Sequence, residues 1–156
     1  MSIASGGTPS RRRNEYWDNG TIPWVKISDM KTMYLSETEE SITEEGLKKS
    51  SAKLFSSGTF LISIFATLGE VSILDIDATT NQAIAGMIPK YPIDVEYTYI
   101  ALTQLKERIL EIGRGAAQNN INLSILKELT IPMPDESTRS SFSEFVKQSD
   151  KSKFYG

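Results

Sequence analysis

The most strand-like part of the chain is residues 59–65, which read TFLISIF. β-Branched and aromatic residues of this kind favour strands, and Gly58 supplies a turn before them. Two further apolar runs follow at distances that suit hairpins, namely VSIL at 71–74 and AIAGMI at 83–88. Upstream, residues 23–27 alternate after a proline and predict a short strand. We therefore expect a twisted, partly closed sheet over residues 23–89, joined by a strand or extended segment at 129–133.

Apolar positions three and four residues apart predict a long helix over residues 94–112, with Asp94 as its N-cap and Gly113 as its stop. Its apolar stripe is Val95, Leu102, Leu105, Ile109 and Ile112. Shorter helices are expected over 41–50, which would begin around Thr43, and over 124–128, capped by Ser124. A last helix is expected from about residue 137. The predicted fold class is α+β, with one globular domain and a protruding C-terminal helix.

The composition narrows the classes of function. With 156 residues, 39% of them apolar, the chain can form one domain with a core. It contains no cysteine and no histidine, which excludes disulfides, thiolate zinc sites and the histidine base of a hydrolytic triad. The net charge is only −3. A binding module fits this composition better than an enzyme does.

The chain shows no membrane or secretion signal in its sequence. No stretch approaches the roughly 20 apolar residues of a membrane-spanning helix, and residues 1–5 lack the apolar segment of a signal peptide. We expect a cytoplasmic protein without membrane contacts.

The first twenty residues predict a loop that carries a local positive charge. Residues 6–10 read GGTPS, and Arg11, Arg12 and Arg13 follow directly. The segment lacks the Gly-Lys-Ser/Thr ending and the preceding strand of a nucleotide-binding loop. Two interpretations stay open, a turn held by side-chain caps or a set of hydroxyls and arginines against a nucleic-acid backbone.

A second polar segment, GRGAAQNNIN, spans residues 113–122. The planar fork of Arg114 suits guanine or phosphate, and the amides of Gln118 and Asn119 suit adenine. A helix C-cap followed by an amide-rich turn uses the same residue types, so this alternative stays open.

Acidic residues offer a weaker candidate site. Asp75 and Asp77, with Asn81 and Gln82, could hold a hard cation, but the ligands are too few for a calcium loop. A hairpin turn is the better interpretation. The pairs at 39–40 and 44–45 indicate a solvated acidic face.

A series of blocks along the chain resembles the target recognition domain of a type I restriction-modification specificity subunit. In order they are GGTPS (6–10), NEYW (14–17), IPWV (22–25), ITEEGLK (42–48), SSAKL (50–54), ATLG (66–69), TNQA (80–83), GRGAAQ (113–118), NIN (120–122) and IPMP (131–134). Each block alone is weak. Their common order over about residues 3–134 makes the resemblance specific.

The resemblance implies a DNA-recognition subunit of a system for host defence and DNA methylation. Such a subunit is not itself an enzyme and needs no cofactor. Such a domain binds double-stranded DNA and reads one half of a bipartite target. Long paired helices in the family dock methyltransferase (modification) subunits and, through them, a restriction subunit. Residues 1–134 would be the recognition domain and 135–156 the start of a spacer helix, with Phe142, Phe145 and Val146 as its packing face. A spacer helix that begins here would also be compatible with a homodimer of half-subunits.

The block at 66–69 departs from the family pattern on both sides. Phe65 precedes it and Glu70 follows it, where family members often have basic residues. Both changes remove positive charge, which weighs against direct DNA contact by this block.

The expected DNA contacts are chosen by the hydrogen-bonding groups and charges of the side chains. For contacts to the phosphate backbone we expect Thr8, Ser10, Arg11, Arg12, Arg13 and Lys26. For base edges we expect Arg114, Gln118 and Asn119, followed by Ser28 and Lys31.

Two rival functions remain. An interaction fragment or silent cassette that only assembles with partner subunits is favoured by the net charge and Glu70. A metal-dependent nuclease would need a carboxylate cluster that the sequence does not show.

Overall fold

Eight strands form two mixed β-sheets. The computed structural model describes residues 1–115 and 120–152, without the side chains of residues 115 and 150–152. The strands are β1 (Ser2–Ser5), β2 (Ile22–Val25), β3 (Tyr34–Leu35), β4 (Glu40–Ile42), β5 (Phe60–Ser63), β6 (Val71–Leu74), β7 (Thr79–Thr80) and β8 (Ile84–Ile88). One sheet has five strands in the order β1-β8-β5-β6-β3, and the other has three in the order β4-β2-β7.

Both sheets are mixed. β3 pairs with β6, and β2 with β7, in parallel, while the remaining pairs are antiparallel. Neither sheet closes on itself within the described residues. The mixed α and β fold class is therefore confirmed, but the single partly closed sheet that we expected is two open sheets.

The central strand β5 is buried on both faces, which explains its uninterrupted apolar run. Phe60 and Ile62 belong to a cluster that contains the helices, whereas Leu61 belongs to a second cluster with Val25 of the smaller sheet. Along the same sheet, Gly86 is needed because a Cβ there would lie 2.4 Å from the ring of Phe55.

Two sequence predictions about strands are wrong. β1 lies in the segment that we expected to be a loop, and it pairs with β8 from Ser2↔Ile88 to Ser5↔Ala85. Three of its four residues, all except Ile3, have small side chains, so its strand character comes mainly from the partner. Residues 129–133 join neither sheet. They run beside a helix, where the carbonyl of Pro132 accepts a 2.7 Å hydrogen bond from the hydroxyl of Tyr97.

Five helices complete the described fold, together with short 3-10 turns at Asn14–Tyr16 and Ile27–Asp29. They are α1 (Glu44–Lys48), α2 (Val95–Thr103), α3 (Lys106–Gly115), α4 (Leu123–Glu128) and α5 (Glu136–Ser152). None of them is long and apolar enough to cross a membrane.

The helix predicted over 94–112 is two helices, α2 and α3. The helix is interrupted after Thr103, whose hydroxyl donates to the carbonyl of Ile100 at 2.7 Å. All five residues of the predicted apolar stripe are nevertheless buried in, or packed against, the hydrophobic cluster that contains Phe60 and Ile62. The predicted stop at Gly113 is wrong, because α3 continues to Gly115.

Helix caps explain the other boundaries. The predicted start around Thr43 is confirmed, and Thr43 caps α1 by accepting from the backbone N–H of Gly46 at 3.1 Å. The helix expected over 41–50 begins only at Glu44, because the residues before it form β4. Asn122, and not Ser124, caps α4 by accepting from the N–H of Ile125 at 2.9 Å.

The last helix, α5, lies against α2 through polar contacts and one edge-to-face aromatic pair, in which the ring centres of Tyr97 and Phe142 are 5.9 Å apart. Arg139 forms a 2.7 Å ion pair with Asp94, and the Ser143 hydroxyl accepts from the N–H of Tyr97 at 3.1 Å. Phe142 and Phe145 are 38% and 65% exposed. Of the predicted apolar face, Phe142 is partly covered by Tyr97 and Val146 is half-buried, whereas Phe145 is left largely uncovered by the residues that the structure describes.

Candidate nucleic-acid interface

Three loops meet at one end of the five-stranded sheet. Ser5 pairs with Ala85, and Ser63 pairs with Ile84, so β1 and β5 end where β8 begins. The loop over residues 6–13, the turn over 64–70 and the turn over 81–83 therefore share this end, which we call the loop end.

The smaller sheet brings Lys26 to the same place. The N–H of Asn81 donates to the carbonyl of Val25 at 3.1 Å, so the turn that follows β7 lies beside the end of β2. The N–H of Gly7 donates to the carbonyl of Thr80 at 2.9 Å, and the hydroxyl of Thr8 donates to the side-chain oxygen of Gln82. Both sheets thus contribute to the loop end.

The two glycines of the first loop serve close packing. A Cβ on Gly6 would lie 2.0 Å from Thr80 Oγ1, and one on Gly7 would lie 2.3 Å from Ser51 Oγ. Of the two interpretations left open for residues 6–10, packing and capping account for the glycines. Ser10 is exposed, and its backbone carbonyl accepts a hydrogen bond from the indole N–H of Trp17 at 3.1 Å.

Arg11 is held by a carboxylate and two aromatic rings. Its guanidinium donates to both oxygens of Glu40, at 2.6 and 3.1 Å, and its central carbon lies 3.5 Å from the ring centre of Trp17. The ring of Trp24 is 4.8 Å away. The hydrogen bond from Arg11, with a further one from Lys26, lowers the pKa of Glu40 to about 2. Arg11 is therefore anchored, although about half of its side chain is exposed.

Lys26 is also neutralised by neighbours. Its ammonium lies 2.5 Å from a carboxylate oxygen of Glu39 and 3.1 Å from one of Glu40. The hydrogen bond to Glu39 raises the pKa of Lys26. Together with Arg11, these groups form a four-membered cluster with no net charge. We expected residues 39–40 to form a solvated acidic face. Their carboxylates instead form ion pairs with two predicted DNA contacts, Arg11 and Lys26.

The other two arginines differ from each other. Arg13 forms a 3.0 Å ion pair with Glu15. Arg12 is exposed, and its side chain has no ion pair or hydrogen bond with any residue that the structure describes. Of the three arginines, Arg12 is thus the one whose charge is uncompensated by a described neighbour.

The predicted base-reading segment is only partly described. Residues 113–115 belong to the last turn of α3 and not to a loop, and Arg114 is exposed there. Gln118 and Asn119 lie outside the described residues. Downstream, the N–H of Ile121 donates to the carbonyl of Ile64 at 3.0 Å, which places residue 121 beside the turn over 64–70.

The turn over 64–70 is tightly fixed. Ser63 is buried, and its hydroxyl donates to the carbonyl of Thr67 and accepts from the N–H of Glu70. The carboxylate of Glu70 accepts from Lys106 at 2.6 Å, which ties the turn to the start of α3. At its tip, Phe65 is 47% exposed. The negative charge that distinguishes Glu70 from the family pattern is thus paired.

Ser28 and Lys31 lie elsewhere, in a cleft of about 1320 Å³ between residues 28–39 and the helices α2 and α5. Asp29, Glu37 and Asp75 also line this cleft. An acidic lining repels phosphate, so the cleft is a poorer DNA surface than the loop end.

The acidic candidate for a cation behaves as a turn. Asp77 accepts from the N–H of Ser57 at 2.8 Å, and Asn81 accepts from the N–H of Ala83 at 3.0 Å. Within the described part of the chain, no group of three or more acidic side chains is arranged to hold a metal ion.

Comparison with known proteins places these features in a family. The family model described as the type I restriction modification DNA specificity domain matches residues 1–154. The MjaIX specificity subunit of Methanocaldococcus jannaschii is 36% identical over 137 residues, which are 85% of this chain and 32% of that protein. The EcoR124I/EcoR124II specificity subunit of Escherichia coli is 30% identical over 151 residues, 93% of this chain and 37% of that protein. The chain thus spans about a third of the length of these relatives.

Solved structures show the same fold at low sequence identity. The HsdS subunit from Thermoanaerobacter tengcongensis has a TM-score of 0.68 at 17% identity, over 97% of this chain and 35% of that one. The S subunit of the type I restriction-modification system from M. genitalium has a TM-score of 0.69 at 18% identity, over 96% of this chain and 36% of that one.

Proposed function

The chain belongs to the family of type I restriction modification DNA specificity domains, and we propose that it binds double-stranded DNA and reads one half of a bipartite target. The observation that carries the proposal is the convergence of loops from both sheets at the loop end. The segments that converge there are 6–10, 22–26, 64–70 and 80–83, which hold blocks that resemble the family.

Contacts to phosphate would come first from Arg12. Its exposed guanidinium is free of described partners, so a phosphate can bind it without breaking an ion pair. Thr8 and Ser10 would add hydroxyl donors. Arg11, Arg13 and Lys26 remain in the proposal with a smaller role, because each would have to exchange a carboxylate for a phosphate.

Sequence reading would depend on side chains that reach base edges. We assign this role to Arg114, whose fork fits guanine, and to Gln118 and Asn119, whose amides fit adenine. The neutralised cluster around Glu40 implies that electrostatic affinity is modest. Binding by this chain alone should therefore be weak and sensitive to salt.

Assembly would use the other end of the chain. We propose that residues 1–134 are the recognition domain and that 135–156 begin a spacer helix. The face with Phe142, Phe145 and Val146, of which Phe145 is the most exposed, would dock a modification subunit and, through it, a restriction subunit, or a second half-subunit. The role would be non-catalytic, since reading and docking need no reacting group, and the protein would act on DNA in the cytoplasm.

The test is selection of bound duplexes from a random DNA pool at low salt. The purified chain is used with and without a type I modification subunit from the same source. The proposal predicts enrichment of a short motif of a few base pairs. Salt-sensitive binding without a motif would leave a backbone binder only. No binding in either arm would favour the interaction fragment or silent cassette.

A further inference from the structure

The loop end presents one exposed aromatic side chain, Phe65, among polar and charged groups. It is 47% exposed, and its neighbours Ala66 and Thr67 are exposed as well. Single exposed apolar residues are common and need no explanation by themselves. What distinguishes Phe65 is the rigidity and the position of the turn that carries it.

The turn holds Phe65 outward by a dense set of hydrogen bonds. The N–H of Gly69 donates to the carbonyl of Ser63 at 3.0 Å, and the N–H of Ile64 donates to the carbonyl of Ala83 at 2.8 Å. Ala66 adopts a left-handed backbone conformation, with φ of 61°. That conformation is unfavourable for alanine and persists only where the surroundings enforce it. The backbone that carries Phe65 is therefore preorganised.

A short chain of contacts links Phe65 to the proposed backbone contacts. Thr8 hydrogen-bonds Gln82, and the next residue along the chain, Ala83, hydrogen-bonds the residue before Phe65. A duplex that binds Thr8 and the neighbouring arginines would thus pass close to this turn.

We propose, on the basis of the proposed function, that Phe65 contacts the 5-methyl group of a thymine in the half-site. In the major groove this methyl is the one apolar group on a base edge, and apolar side chains recognise it. The loss of positive charge beside residues 66–69 argues against a phosphate contact there. It does not argue against an apolar contact, for which a phenylalanine is suited.

The test combines one protein substitution with removal of one methyl group. The probe is the most enriched duplex from the random pool, with each thymine replaced in turn by deoxyuridine, which lacks only the methyl. Affinities are measured at low salt for the wild-type chain and for Phe65→Ala. Tyr91→Ala is the matched control, because Tyr91 is an aromatic residue of 79% exposure beyond the opposite end of β8.

For the wild-type chain, deoxyuridine at one position should weaken binding about fourfold, the effect of one buried methyl. Phe65→Ala should abolish that difference, Phe65→Leu should retain part of it, and Tyr91→Ala should leave it unchanged. Circular dichroism would check that each variant is folded.

Three outcomes would overturn the inference. They are a motif without a methyl-sensitive thymine, a sensitivity that persists in Phe65→Ala, or a loss of affinity in that variant that is equal on all sequences. In each case the enriched motif would still support the proposed function. Absence of any motif would overturn both.

Discussion

Arg11 and Glu40 form a bidentate ion pair with nitrogen–oxygen distances of 2.6 and 3.1 Å. The guanidinium also lies over Trp17 at 3.5 Å, an arrangement in which the cation is attracted to the face of the ring. Because Glu40 contacts Lys26 as well, one carboxylate holds two of the predicted DNA contacts. The positive charge of the loop end is thereby reduced in the free protein.

Glu40→Gln should tighten binding to DNA of any sequence. The substitution removes one negative charge and releases Arg11, while Lys26 keeps its contact with Glu39. If one more phosphate is then neutralised, the slope of log K against log salt should become steeper by about 0.9. Fluorescence anisotropy with a mixed-sequence duplex at several salt concentrations measures this slope. Glu144→Gln on α5 is the control of equal charge, and equal effects of the two would contradict the account.

The same carboxylate should make stability depend on acid pH. Its pKa falls from 4.5 to about 2 on folding, so its contribution to stability is complete above 4.5 and is lost as the pH falls through about 2. Urea unfolding should show that the difference in unfolding free energy between wild type and Glu40→Gln shrinks over this range. A difference that stays constant would show that the ion pair is not responsible.

Arg12→Ala should weaken binding to all sequences about equally. Loss of one phosphate contact should reduce the salt slope by about 0.9, and an exposed site should leave stability within about 0.5 kcal/mol. Lys90→Ala, an exposed cation beyond the opposite end of β8, should have little effect on binding. If Lys90→Ala matched Arg12→Ala, the charge would act at a distance and not by contact.

Arg114→Ala should act on one base pair. If Arg114 is bidentate to guanine, its loss should cost about 1–3 kcal/mol of discrimination at that position. Competition between the selected duplex and versions with single base-pair changes measures this. Equal weakening on all of them would indicate a phosphate contact, and no change would remove Arg114 from the site.

Phe145→Ser should separate assembly from folding. The side chain is 65% exposed, so the free energy of unfolding should change by no more than about 0.5 kcal/mol. Affinity for the modification subunit should fall roughly tenfold or more if the residue is an anchor of that interface. Titration calorimetry measures the affinity, with Glu144→Gln as a neighbouring control on α5. Unchanged affinity would place the docking surface elsewhere.

Local patterns were sufficient for the elements that carry their own signal. β5, β6 and β8 are buried apolar runs, and the cap at Thr43 is followed directly by its helix, so each was predictable from neighbouring residues. β1 was not, because residues 2–5 show no apolar alternation and pair with residues 80 to 86 positions away. The break between α2 and α3 was hidden for the opposite reason, since the apolar stripe continues across it.

The site depended even more on long-range contacts. Arg11 and Glu40 are 29 positions apart, and they meet because β2 pairs with β4, which sets Trp24 opposite Glu40. No local spacing rule indicates such a pair. The family resemblance identified the converging blocks but not their convergence, which follows from the registers of β1, β5 and β8.

The surface of the chain that contacts DNA can be mapped residue by residue. Backbone amide resonances of the isotope-labelled chain would be followed by NMR while the selected duplex is added. An interface at the loop end predicts shifts concentrated at residues 6–13, 26, 64–70, 81–83 and 114–122, with none at Tyr91. Shifts confined to the acidic cleft between residues 28–39 and α5, or no shifts at all, would contradict it.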